Sequence, residues 1–506
     1  MKQEAIAAFD QLKQRFSLFD SYRVKNPDKR EFTWEVLNPS IIRERLDIIF
    51  VSNSLKDYVT ESGIIPPYKT CSDHGIPYLR IVGFGIPSRG PGIWKFNNQL
   101  LTDSGFVSEI KTKIPEWIQE SENDLPDNIG GQWGFIKHKM GEFSRVYGAK
   151  LKKSKILLKA NIEKELESLK LNLNWDSKAR YKALQEDLND IVETEIKGSI
   201  LRSLCEDYEQ GEKCSKYFFS LEKFRGKQKT ISRLKRADGS LTSDSKIILE
   251  ECRMFYQNLY NRNQNVDANL HPEFFRNVTT PKLSEEQKKI CDAVLTIEEL
   301  FKCLRTFSKN KSPGLDGITA EFFLTFWDLL KEKLFAVYED SFVKGFLPES
   351  LMTGVVTLLE KKGKDRLDLV NWRPITLLNV DYKLLTKTLG QRLKIVLPSL
   401  INKDQNGFTP GGSIFYSAHT VRDILFYCKK ENIDLILLAL DYTKAFDSVD
   451  FEFIHKTFEL FNFGQNFRKW VKMIFRGGTS CITSNGHISE KFDILRSTRQ
   501  GDLISP

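Results

Sequence analysis

The 506 residues contain no long apolar run, no cysteine pair at metal-binding spacing, no internal repeat and no low-complexity tract. No stretch approaches the roughly 18 apolar residues that a membrane-spanning helix needs, so no membrane partner is expected. The eight cysteines (71, 205, 214, 252, 291, 303, 428 and 481) stand apart, without a CxxC pair or a Cys/His cluster. That pattern points to reduced buried thiols rather than a disulfide framework or a zinc site. The opening MKQEAIAAFDQLKQRF is amphipathic and carries acids, unlike a signal peptide. The excess of one sign of charge is small too. A net +9 permits binding to a polyanion without requiring it, so clustering of the charge matters more. The hydrophobic content of 41% is ordinary for a globular protein, and the length is too great for one core, so three or more units are expected.

Three regions differ in pattern. Residues 1–97 are rich in short strands and turns: 32–36, 46–51 and 77–82 have strand composition, broken by Pro, Gly, Asn and Ser. GFGIPSRGPG (83–92) interrupts regular structure and marks a boundary. Long helical patterns follow from about residue 100 to 260. Tyr181, Leu184, Leu188 and Ile191 step by three, four and three among charged residues, and LNLNWD (171–176) suggests a helical hairpin. Basic residues cluster at 146–159 and 213–236. The second cluster interleaves nine Lys/Arg with Tyr217, Phe218, Phe219 and Phe224, which suits an RNA or single-strand surface and equally a solvated face over core aromatics. From about 290 the pattern is mixed. It predicts a loop at 312–317, a helix over about 318–344, a strand at 355–359, a basic turn at 361–365, extended chain at 372–375, and helices around 382–397 and 418–430.

The most informative feature lies at 435–441, where six apolar residues deliver one carboxylate, Asp441. A short apolar run without alternation predicts a strand buried on both faces. An acid at the tip of such a strand is costly unless it holds a cation. That arrangement points to metal-dependent nucleotidyl transfer, in which two Mg²⁺ ions activate a 3′-hydroxyl and neutralise the leaving pyrophosphate. Asp441 would bridge the ions and the Tyr442 carbonyl would add an oxygen ligand. Phe446 would face the sugar and exclude a 2′-hydroxyl. Lys361, Lys362 and Arg373 supply cations for a triphosphate. Gln500-Gly501 lets backbone approach the template or the incoming nucleotide. Taken singly, Asp441 is as well explained as the cap of a helix starting near Ser448, and Arg373 and the lysines as solvated surface.

Six ordered blocks resolve those alternatives: KSPGLDGITAEFF (311–323), LPESLMTGVVTLLEKKGKD (347–365), NWRPITLLNVDYKLLTKTLGQRL (371–393), DQNGF (404–408), LDYTKAFDSVD (440–450) and TRQGDLISP (498–506). Together they resemble the reverse transcriptase of LINE-type non-long-terminal-repeat retrotransposons. Upstream, GEKCSKYFFSLEK (211–223), KTI (229–231) and DG (238–239) resemble that family's RNA-holding extension, implying nucleic-acid contacts from Lys216, Tyr217, Phe218, Lys223 and Arg225. RERLDIIFVS (43–52), CSDHG (71–75) and RGPGIWKFNNQLL (89–101) resemble the end of its apurinic-type endonuclease. There the resemblance implies that His74 contacts the scissile phosphate, Asp47 orients His74, and Asp73 positions the nucleophile or metal.

The resemblance implies a multidomain α+β chain. Residues 1–97 would be the C-terminal part of an endonuclease β-sandwich, 98–290 a helical basic-aromatic extension, and 291–506 polymerase fingers with an incomplete palm and no thumb. It implies RNA-directed DNA synthesis primed on nicked target DNA. The partners would be an RNA template, a DNA primer or target and deoxynucleoside triphosphates, with Mg²⁺ and no small-molecule cofactor, in cytoplasm and nucleus. The sequence also departs from the family. It has no Asp-Asp pair, so the Tyr/Phe-x-Asp-Asp hairpin that supplies further metal carboxylates is absent, as are the early endonuclease strands and the thumb. Gly411-Gly412 replaces the usual Gly-Arg, and Asp502 and Ile504 replace Cys and Leu. Asp502 would place negative charge near a nucleotide phosphate. A fragment without polymerase or nicking activity is therefore expected, or a retroelement remnant that at most binds nucleic acid. A splicing-type maturase is a third reading, disfavoured by the Ser-Asp-His block.

Overall fold

The computed structural model describes residues 2–37, 41–65, 74–81, 89–171, 179–191, 193, 230–261, 270–409 and 411–505. The chain forms two compact units, one from residues 1–88 and 151–232, the other from 89–150 and 233–506. Residues 89–97, expected with the N-terminal strands, thus belong to the second unit. There Gly90 N–H donates to Asn485 O at 2.9 Å and Phe96 N–H to Gly317 O at 2.9 Å.

In the first unit the N-terminal strands pair two by two: Leu18–Asp20 with Phe50–Ser52, Trp34–Leu37 with Ile41–Glu44, and Val59–Ile65 with Ile76–Ile81, all antiparallel. The strand expected at 46–51 is confined to Phe50–Ser52 because Thr33 Oγ1 takes the Leu46 and Asp47 N–H groups at 2.9 and 3.0 Å, diverting them from a ladder. Asp20 caps the short helix Ser21–Lys25 and also holds the Arg45 fork. The unit's helical part buries Ile162, Leu166 and Leu184, with Leu169, Tyr181, Leu188 and Ile191 packed on them. The expected apolar stripe is therefore the packed face.

The second unit is built on a five-stranded sheet in the order Trp372–Leu377, Thr353–Glu360, Gly478–Ser484, His487–Ile488, with Phe492–Ile494 also paired to Gly478–Ser484. Thr353–Glu360 runs parallel to Gly478–Ser484, and the other pairings are antiparallel. Val355, Val356 and Ile482 are fully buried, as expected for central strands covered on both faces. Helix Ser245–Tyr260 packs on the sheet, and Ile297–Arg305 packs on Val380–Leu400. The single helix expected over 318–344 is two, Ala320–Thr325 and Trp327–Lys344, with Phe326 at the break in a non-helical conformation. Gly345 ends the second in the left-handed region, where only glycine is unstrained.

Helix Ile129–Leu171 contributes its first half to this unit and inserts Trp133 and Lys137, one turn apart, into the core. The Trp133 indole N–H donates to Asp381 Oδ2 at 2.8 Å. The Lys137 ammonium donates to Asp381 at 2.7 Å, Asp316 at 3.2 Å and the Ser350 carbonyl at 3.1 Å. One buried lysine thus joins the 312–317 loop to the start of the helix at Val380. Burial works to depress Lys137, but the two carboxylates overcome it and hold the ammonium above its ordinary value. Burial pushes the Asp316 carboxyl up to about 6 against the pull of Lys137.

Candidate nucleotide and template site

The strand expected at 435–440 does not form. Residues 433–442 are irregular and solvent-facing, with Ile436 92%, Leu438 75% and Leu440 72% exposed. The physical reason is the lack of a sheet neighbour. Among the described residues no strand pairs with this segment, so its side chains have no faces to be buried between. Asp441 at its end is exposed, as is Tyr442. Asp441 caps no helix. That role falls to Asp450, whose Oδ1 accepts the Glu452 N–H at 2.7 Å at the start of helix Phe451–Leu460.

The turn that follows is anchored from beneath. Lys444 adopts φ 53°, unusual for a side-chain-bearing residue, and places its ammonium 4.7 Å from the Phe255 ring and 5.6 Å from Tyr256. Burial lowers its pKa from the ordinary value, Asp447 opposes this, and nearby Lys361 adds to it. Asp447 is buried and its carboxyl is raised by desolvation, while Lys444, the Tyr260 hydroxyl and Lys361 pull it down. Both residues are thus seated on helix Ser245–Tyr260. This anchors the turn, and it brings the 361 turn beside them.

Backbone bonds tie this turn to the chain's last loop and that loop to the sheet. The Phe446 carbonyl accepts the Thr498 N–H at 2.9 Å, Val449 O accepts Ser497 N–H at 2.8 Å, and Gln500 O accepts Thr376 N–H at 2.7 Å. Gly501 sits at φ +115°, and a Cβ there would lie 2.3 Å from Thr376 O, so a side chain has no room. Arg373, three residues before Thr376 on the same strand, is exposed. Lys361 folds its ammonium onto Val370 O at 2.9 Å, within its own hairpin. The Phe446 ring is 43% exposed and meets Phe408 of the DQNGF block edge-on at 6.0 Å. Phe446, Gln500, Gly501, Arg373 and Lys361 therefore lie on connected elements, while Asp441 stands at the mouth of the turn.

Asp502 does not face solvent. Its carboxylate is buried and accepts the Tyr382 hydroxyl at 2.7 Å, and Arg499 donates to that same hydroxyl at 2.6 Å and to Met352 O at 3.0 Å. The negative charge expected near a nucleotide phosphate is turned inward and offset by Arg499. Sequence reading missed this triad, as it missed Lys137–Asp381 and Tyr260–Asp447. No local signal marked them: Lys137 opens a Lys-His-Lys run and Asp381 stands two residues before Lys383.

Among the described residues no group of three or more His, Cys, Asp or Glu is disposed to hold a metal. Asp441 and the Tyr442 carbonyl offer two oxygens of the six that Mg²⁺ requires, so they fit one edge of a single ion and not a two-ion centre. In the first unit His74 Nδ1 lies 2.6 Å from Asp47 Oδ2, both partly exposed. Asp73, Lys216, Tyr217, Phe218, Lys223 and Arg225 lie outside the described residues. None of the described helices is long and apolar enough to cross a membrane.

Residues 359–506, which include every element of this site except the supporting helices, match the family model of reverse transcriptase (RNA-dependent DNA polymerase). The chain thus carries a reverse transcriptase domain and is similar to proteins of retrotransposable elements. It is 31% identical over 501 residues to the transposon TX1 uncharacterized 149 kDa protein of Xenopus laevis, covering 97% of this chain and 37% of that protein. It is 28% identical over 201 residues to the retrovirus-related Pol polyprotein of the type-2 retrotransposable element R2DM of Drosophila melanogaster, covering 39% of this chain and 18% of the relative. A Pol polyprotein of the type-1 element R1 of Bradysia coprophila is 26% identical over 163 residues, 31% of this chain and 15% of the relative. The chain spans little more than a third of the length of the Xenopus relative and less than a fifth of the other two.

Proposed function

We propose that the chain is the nucleotide- and template-holding part of a retrotransposon RNA-directed DNA polymerase that extends nicked target DNA on an RNA template. The observation that carries this reading is the backbone tie from Phe446 through Thr498 and Gln500 to Thr376, which makes the sugar-facing ring, the Gln-Gly turn and the Arg373 strand one framework. On it, Phe446 gates the sugar, Arg373 and Lys361 attract the triphosphate, and Gln500-Gly501 aligns base and template. Asp441 is one ligand of a divalent cation, which when bound would neutralise phosphate charge. Such an element would meet its RNA in the cytoplasm and its target in the nucleus.

With one exposed carboxylate among the site residues, the chain alone is expected to bind primed template and nucleotide without extending the primer. Retention of dTTP over UTP on a primed polyadenylate template is the test. Discrimination that collapses in Phe446→Val supports the reading, and equal retention in the parent protein defeats it. Template-dependent extension lost in Asp441→Ala would show that the cation site is complete after all.

The His74–Asp47 pair supports a second, attached role in phosphodiester cleavage, since a carboxylate at Nδ1 sets the imidazole tautomer and raises its basicity. Without further metal-binding carboxylates among the described residues, supercoiled plasmid should remain intact with this chain. Nicking abolished by His74→Ala would overturn that expectation.

A further inference from the structure

Helices Phe451–Leu460 and Gln465–Phe475 enclose, with Ile494 and Leu495, an open cleft of about 790 Å³ that none of the nucleotide-site residues lines. Five of its lining residues are Lys or Arg and two are Glu. Both acids are already engaged: Glu452 pairs with Lys456 at 3.5 Å and Glu459 with Arg468 at 2.9 Å. Lys469 rests on the Phe342 ring at 4.5 Å. Lys472 and Arg476 are exposed and make no ion pair among the described residues, and both lie near enough to the half-buried His455 to disfavour its protonation. Their like charges converge on a concave surface, an arrangement that repels itself unless an anion occupies the space.

The walls also carry the rings of Phe451 and Phe458, both partly exposed and able to stack bases, and the Gln465 amide, able to hydrogen-bond a 2′-hydroxyl. At one end Phe451 follows Asp450, which bridges to Arg496, so the cleft adjoins the loops that hold Phe446 and Gln500.

We infer that this cleft is a second nucleic-acid site that takes single-stranded RNA, with Lys472 and Arg476 on successive phosphates and Phe451 and Phe458 beneath the bases. The inference goes beyond the polymerase reading and needs no catalysis for its test. The probe is a fluorescein-labelled oligouridylate of about 12 nucleotides, within the site sizes of single-strand binders. Its binding to the 506-residue chain is followed by anisotropy across a salt series.

Lys472→Glu/Arg476→Glu should weaken binding at least tenfold and reduce the slope of log affinity against log salt by about 1.4, the value for two lost single-strand phosphate contacts. Lys331→Glu/Lys344→Glu, charge reversals on a different helix, should leave the slope unchanged. In the parent protein, RNA should protect Lys472 from acetylation, a readout that does not depend on a variant folding. An unchanged slope in the double variant, or Lys472 acetylated equally with and without RNA, overturns the site. Equal affinity for oligodeoxythymidylate overturns its assignment to RNA.

Discussion

The Tyr382 hydroxyl donates to the Asp502 carboxylate at 2.7 Å across 120 residues of chain and accepts from Arg499 at 2.6 Å. This bond fixes both flanks of Gln500-Gly501 to the helix Val380–Leu400. Burial, with Asp502 adding, raises the phenol well above its ordinary value, so it remains a donor at any accessible pH. Removing it with Tyr382→Phe leaves a buried carboxylate and a guanidinium short of a partner, a loss of about 1–3 kcal/mol. Urea denaturation should show it. Amide hydrogen exchange at 499–502 should also accelerate, and unchanged exchange there would mean the loop is held by Thr376 alone.

Lys137→Ala should cost about 3–5 kcal/mol, because it strands Asp381 and Asp316 without their cation in the core. The paired change Lys137→Met with Asp381→Asn should cost less than the single one. A double-mutant cycle by chemical denaturation gives the coupling, and strict additivity would show that the pair contributes nothing as a pair.

Asp316 makes stability depend on pH in a defined sense. Its folded pKa of about 6 lies above the ordinary 3.8, so its contribution is fully present below the unfolded value and is lost as pH rises through about 6. At about 1.4 kcal/mol per pKa unit, the change is on the order of 3 kcal/mol. Asp316→Asn can keep the acceptor for the Ile318 N–H, which Asp316 takes at 3.0 Å, and should gain on the parent protein between pH 4 and 7. Thermal unfolding of both proteins across that range checks the sign. A variant that loses ground as pH rises would show that the attraction of Lys137 outweighs burial.

Gly501→Ala should destabilise the last loop by more than about 1 kcal/mol, since the new Cβ meets Thr376 O and φ +115° is strained for alanine. Limited proteolysis at the loop reports this directly. The effect should exceed that of Gly363→Ala, where φ is also positive but nothing lies within 4 Å.

The fold was legible where a pattern depends on neighbours close in sequence. The hairpin 353–377 announced itself through an apolar run, a basic turn and a proline that forces extension. The helices at Val380–Leu400 and Ile414–Lys430 followed from periodicity. The same signal failed at 435–440, because periodicity describes side chains and not sheet partners. Strand Thr353–Glu360 has a neighbour on both edges and buries Val355, Val356 and Leu358, whereas Leu435–Leu440 has none among the described residues. Of the site, the exposed members were read from motif positions. The buried supports escaped because Lys137–Asp381 and Tyr382–Asp502 close over 244 and 120 residues, distances at which one sequence carries no pairing information.

The uncovered segment has a consequence for handling the protein. Helix Ile414–Lys430 has no buried residue, and beside it in sequence Ile436, Leu437, Leu438 and Leu440 meet water directly. Bare backbone donors and acceptors in such a stretch invite a strand from a neighbouring molecule. Concentrated solutions should therefore bind a hydrophobic dye strongly and drift toward oligomers, and a lysine at Leu438 should slow that drift without altering the fold.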